Sequence, residues 1–203
     1  MKITIYTDGS SRGNPGPGGW AAVILEHRGQ TTDNREYDAD DQVIELGGRE
    51  NMTTNNRMEL MGAIMGLREI DGRHQTADRG AKSDEDVRSH QTKDQQTSGT
   101  LVSVEVCTDS QYVKKGMTEW IDGWIKRGWK GSTKKPVLNQ YLWEALKKEE
   151  DRLKEGKVHV TWKYVPAHVG IVMNERADTI ATMCADDAKE LQLYRGLRSE
   201  YTT

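Results

Sequence analysis

KITIYTDG, residues 2–9, places Ile3 and Ile5 on one face of an alternating run and closes on Asp8 and Gly9. Alternation with period two reads as a strand. LVSVEVCTD, residues 101–109, is a second, β-branched run that also closes on an aspartate, Asp109. Between them, Met58, Met61, Ile64, Met65 and Leu67 recur at helical spacing after Thr53 and Thr54, two candidate N-caps. A crossover helix joining two strands implies a parallel, adjacent pair. Asp8 and Asp109 then emerge side by side at the carboxyl ends, where open α/β sheets place their sites.

Working outward, GNPGPGG at 13–19 reads as a turn, 20–26 as a second strand and 42–46 as a third. Helices are expected near 110–116, 118–127, 137–154 and 174–189, and a last strand at 157–165. This order predicts an α/β protein: a five-stranded mixed sheet with helices on both faces.

The chain has 203 residues, 34% apolar and 30% charged, with no Phe and a net charge of −3. That length fits one domain with additions. No apolar run is long enough to span a bilayer, and the opening residues carry no signal-peptide core. Two cysteines exclude a disulfide framework and a Cys-based zinc site, and point to a reducing cytoplasm. The near-neutral average hides opposed parts. Residues 71–100 hold only Ala77, Ala81 and Val87 as apolar residues, which predicts a disordered insertion. Residues 31–50 are acidic. Residues 114–135 are basic: Lys114, Lys115, Lys126, Arg127, Lys130, Lys134 and Lys135, interleaved with Trp120, Trp124 and Trp129. Bases release counterions from phosphates, and indoles stack on sugars and bases.

Four acids invite attention. Asp8 and Asp109 end strands, Glu59 sits early on the crossover helix and Asp178 early on the last helix. Each alone reads as a turn, cap or surface residue. Gathered at one sheet end they would repel unless cations held them, and hard oxygen ligands favour Mg²⁺ or Mn²⁺. Two such ions about 3.5–4 Å apart clamp a phosphodiester for in-line displacement.

Several stretches together resemble type one ribonuclease H, the bacterial ribonuclease HI family. They are TDG at 7–9, GNPGPGG at 13–19, TTNNRMEL at 53–60, TDSQYV at 108–113, WIDGWIKRGWKGSTKKPV at 120–137, VPAHVG at 165–170 and NERAD at 174–178. The resemblance covers roughly 1–26, 46–70 and 101–185, in order. It implies a ribonuclease H-like fold over 1–190, with 191–203 left as a charged tail. It also implies an endonuclease that cuts the RNA strand of RNA–DNA hybrids, leaving 5′-phosphate and 3′-hydroxyl ends. By that resemblance Asp8, Glu59, Asp109 and Asp178 hold two Mg²⁺ ions, replaceable by Mn²⁺, with the Gly9 carbonyl beside them. His168 matches a mobile histidine that moves protons or releases product. Asn14, Thr54, Asn55, Asn56 and Gln111 match hybrid-contacting positions, Thr54 seating a DNA phosphate. The basic segment with Trp120, Trp124, Lys126, Arg127, Trp129, Lys130, Lys134 and Lys135 is similar to a substrate-gripping protrusion. After His168, Ile171, Val172 and Met173 are apolar where the family commonly has polar or proline-containing sequence. A monomer that binds no membrane is expected. The alternatives are another nuclease on the same fold, or a hybrid-binding module without catalysis; the four retained acids weigh against the latter.

Overall fold

The structure, a computed structural model, describes residues 1–28, 39–77 and 102–202, with 71–77 described by backbone alone. The expected disordered insertion falls outside these residues from 78 to 100, as do residues 31–38 of the acidic stretch. The first residues of the 71–100 stretch instead continue a helix to Ala77.

Among the described residues six strands form one sheet: β1 (Lys2–Ser11), β2 (Gly16–His27), β3 (Gln42–Thr53), β4 (Ser103–Thr108), β5 (His159–Tyr164) and β6 (Arg195–Leu197). Their spatial order is β5-β4-β1-β2-β3-β6. β1, β2 and β3 form an antiparallel meander, while β4 and β5 run parallel to β1. The sheet is mixed as expected, but it has six strands rather than five. The extra strand comes from the segment read as a tail. β6 pairs antiparallel with β3 over Gln42–Ile44 and covers that edge, which otherwise presents unpaired backbone groups. Tyr201 is buried beneath it.

Strand alternation divides the core in two. Ile3, Ile5, Ala22, Ile24, Ile44, Val104 and Val106 face α1 (Asn55–Ala77), which also packs on α4 (Gln140–Glu155). Tyr6, Ala21, Val23, Leu25, Val43 and Cys107 face α5 (Val172–Ala185). The expected helices near 110–116 and 118–127 are α2 (Gln111–Lys115) and α3 (Ile121–Lys126), joined by a π-helical turn, Gly116–Trp120. Val113, Met117 and Ile121 pin this run to the α1 side.

β2 and β3 extend well beyond 20–26 and 42–46. Of the segment read as a turn, residues 13–15 do bend, with Gly13 at φ 106°, but Gly16, Gly18 and Gly19 lie in tightly packed sheet. A Cβ on Gly19 would stand 2.2 Å from the Ala181 carbonyl of α5, so only glycine lets that helix approach. The closing helix starts at Val172, earlier than 174, because Met173 is fully buried and Ile171 packs against the same core. That burial accounts for Ile171 and Met173 after His168, whereas Val172 between them is exposed. The helix stops at Ala185, where Asp187 takes a left-handed φ of 55° and the Ala188 amide closes on the Met183 carbonyl.

Candidate active site

The last register pair of β1 and β4 is Thr7–Thr108, and an acid lies one residue beyond each: Asp8 and Asp109. Alternation turns Asp8 toward the α5 side of the sheet, where Asp178 hydrogen-bonds to it. Burial first, then the Asp109 charge, then Asp178, push the Asp8 carboxyl up to about 8 against a lowering hydrogen bond from the Gly9 backbone. Asp109 is also raised, chiefly by burial.

Glu59 approaches from the opposite, α1 side. A Cβ on Gly9 would stand 2.1 Å from the Glu59 amide nitrogen and 2.4 Å from the Met58 carbonyl carbon. The missing side chain is what lets α1 reach β1 here. Gly9→Ala is therefore expected to destabilise the fold by about 2 kcal/mol or more, through forced displacement of α1; equilibrium unfolding checks this, and an unchanged midpoint would contradict it. Asn55 Nδ2 donates to Glu59 Oε1 at 2.9 Å, and Ser110 Oγ donates to Glu59 Oε2 at 2.5 Å. Burial raises the Glu59 carboxyl, these two hydrogen bonds oppose the rise, and the Asp109 charge adds to it.

The four acids thus meet at one sheet end from both faces. Among the described residues, no three His, Cys, Asp or Glu side chains already enclose a single point as a cation cage. Asp8 instead lies against Asp178, and Glu59 is held by Asn55 and Ser110. The donor set still fits a hard cation: every candidate ligand is oxygen, and the raised carboxyls are groups whose ionised forms need a counter-charge.

The structure places His168 on an exposed loop with φ of 54°, close enough for its charge to favour ionised Asp109. The Gly170 amide donates to Glu175 Oε1 at 2.9 Å, tying that loop to α5. Asn14 and Asn56 are exposed, Thr54 is half-buried with its carbonyl starting α1, and Gln111 is exposed at the start of α2. Asn55, expected only to contact substrate, here also orients Glu59.

In the basic segment Lys126, Arg127, Lys130, Lys134 and Lys135 are all exposed. The Gly131 amide bonds the Lys135 carbonyl and Lys130 pairs with Pro136, folding the loop back on itself. Trp124 and Trp129 pack against the core, Trp124 lying 5.3 Å from the fully buried Trp143. Trp120 stacks on Trp124 at 5.7 Å and lines a groove of about 410 Å³ with Arg127, Gly131 and Ser132. Two of the three tryptophans therefore anchor the arm.

Two residues inside the quoted motifs escaped notice as site residues: Ser110 and Asn174. Ser110 caps α2 through Val113 and grips Glu59; Asn174, also buried, hydrogen-bonds Asp109. Their types are ordinary, and only tertiary placement reveals what they touch.

The ribonuclease H family profile matches residues 1–84 and 87–186. The chain is 39% identical over 186 residues to the ribonuclease H of Chromohalobacter salexigens, spanning 92% of this chain and 85% of that one. It is 41% identical over 180 residues to the ribonuclease H of Phenylobacterium zucineum, spanning 89% and 88%. Its fold is similar to the crystal structure of LC9-RNase H1, a type 1 RNase H with the type 2 active-site motif. The TM-score is 0.65 at 26% identity, over 96% of this chain and 77% of that one. The chain belongs to the ribonuclease H family, enzymes that hydrolyse the RNA strand of RNA–DNA hybrids. Dependence on divalent metal ions is general in that family. Among the described residues no helix is long and apolar enough to cross a membrane.

Proposed function

We propose that this chain cleaves hybrid RNA at the cluster of Asp8, Glu59, Asp109 and Asp178, holding two Mg²⁺ ions there, with Mn²⁺ as a substitute. The observation that carries this reading is the convergence of three aspartates and Glu59 from both faces of the sheet onto one end. Asp8, buried beside Asp109 and Asp178, would hold metal together with Glu59, Asp109 and Asp178, with the Gly9 carbonyl as a further oxygen next to it. When bound, the ions supply an activated water and a counter-charge for the leaving 3′ oxygen, giving 3′-hydroxyl and 5′-phosphate ends. Asn55 and Ser110 orient Glu59. His168, on its exposed loop beside Asp109, accepts or delivers a proton as product leaves.

Asn14, Thr54, Asn55, Asn56 and Gln111 read the hybrid through hydrogen bonds to 2′-hydroxyls and the minor groove, which distinguish RNA from DNA. The arm binds phosphates through Lys126, Arg127, Lys130, Lys134 and Lys135, with Trp120 as the available stacking face and Trp124 and Trp129 behind it. A monomer suffices for this site, since one chain supplies every residue named. Two free, buried thiols, Cys107 and Cys184, suit a cytoplasmic setting.

The test is a cleavage assay with Mg²⁺ on hybrid, duplex DNA and duplex RNA. Cleavage of the hybrid's RNA strand alone is the expected result; equal cutting of duplex DNA would overturn the reading. Neutralising Lys126, Arg127, Lys134 and Lys135 together is expected to raise KM more than about tenfold and to flatten its salt dependence, with kcat within about threefold. A fall in kcat at unchanged KM would remove the arm from substrate binding.

A further inference from the structure

Asn174 is 2% exposed in the first turn of α5, beside fully buried Met173 and Ala177. An apolar residue would suit that position better. The Asn174 side chain hydrogen-bonds Asp109, yet its Oδ1 has no partner, so the contact runs from the amide nitrogen, donating to the carboxylate. A buried acceptor left unpaired costs stability.

Asn174 and Asp178 lie four residues apart and so share one face of α5. That face meets both strand-end aspartates: Asn174 holds Asp109, and Asp178 hydrogen-bonds Asp8. One helix face therefore sets the separation of the two.

We propose that Asn174 is a positioning residue that fixes the Asp109 carboxylate at the spacing from Asp8 that a divalent cation requires. This rests on the reading of the acidic cluster as a cation site. Outer partners of metal ligands typically contribute 10–100-fold in affinity or activity. Asn174 makes its contribution through Asp109, so its loss leaves hybrid affinity untouched.

The experiment measures Mn²⁺ and Mg²⁺ binding by calorimetry on the full chain without nucleic acid, then kcat and KM on hybrid below the unfolding transition. Asn174→Ala is expected to weaken cation binding about tenfold or more, with kcat falling alongside and KM within about twofold. Asn174→Asp keeps the shape, loses the donor and adds a like charge, so a greater loss is expected. Asn174→Ser, which retains a short donor, is expected to recover part of the affinity. Met173→Ala, a packing control, is expected to lower Tm without changing cation affinity. Wild-type cation affinity and kcat in Asn174→Ala would overturn the inference. A wild-type chain that binds no divalent cation would instead overturn the reading of the site on which it rests.

Discussion

Asp8→Asn is expected to lose hybrid cleavage by about a thousandfold or more and, in the same protein, to raise the melting temperature. The two effects share a cause. Asp8 is buried between two further acids, and its carboxyl is pushed up to about 8 from the usual 3.8. Between those values the cation-free folded state holds a proton that the unfolded chain has released. Stability therefore falls as pH rises through that window and is lowest at its upper end. Asparagine cannot ionise, so it removes the penalty. In chelator the gain is expected to be a few kcal/mol at about pH 8 and much smaller at about pH 5. Thermal unfolding at both pH values checks this; equal melting of the two proteins at the higher pH would show that the acids do not strain the fold. Saturating Mg²⁺ is expected to narrow the gap, because cation binding stabilises wild type more than the variant.

The second large effect is expected from ending the chain after Glu190. Glu45 on β3 has a side chain with no solvent exposure. Arg176 of α5 donates to it at 2.6 and 3.0 Å, the Tyr201 hydroxyl at 2.5 Å and the Tyr194 amide at 2.9 Å. Burial pulls the Glu45 carboxyl upward, but these four bonds outweigh it and hold it below the ordinary range. Truncation removes two of the four donors, the β6 pairing and the buried Tyr201 ring. The expected loss is about 3–5 kcal/mol, a fall in Tm of roughly 10 °C. A Tm unchanged within about 2 °C would mean that the segment lies on the domain without holding it. The depressed carboxyl adds a pH signature: its stabilisation is complete above the unfolded value and is lost as acid protonates Glu45.

The parts of the fold legible in sequence are those where one residue type carries the meaning. Ile3 and Ile5 alternate, the Met and Leu stripe of α1 repeats at helical spacing, and acids close β1 and β4. The four acids are legible through their motifs, and the structure brings them to one sheet end. Reading failed where local propensity and tertiary packing disagree. Gly16, Gly18 and Gly19 suggest a turn, yet they are strand residues in close contact with their surroundings, Gly19 against α5. The C-terminal segment reads as a charged tail because its anchors, Tyr194 and Tyr201, are sparse. Their worth depends on Glu45, about 150 residues away in the chain. Ser110 and Asn174 are short polar residues whose roles exist only through the carboxylates they meet.

The order of assembly follows from where α5 lies. It supplies Asp178 and the Asn174 contact to Asp109, and it seals the second core against β1 and β2. A ribosome delivers residues 172–202 only after every sheet strand except β6 has emerged. Until then one face of the sheet is bare, and the four acids have no common location. Assembly of the four-acid cluster waits on translation of the last helix.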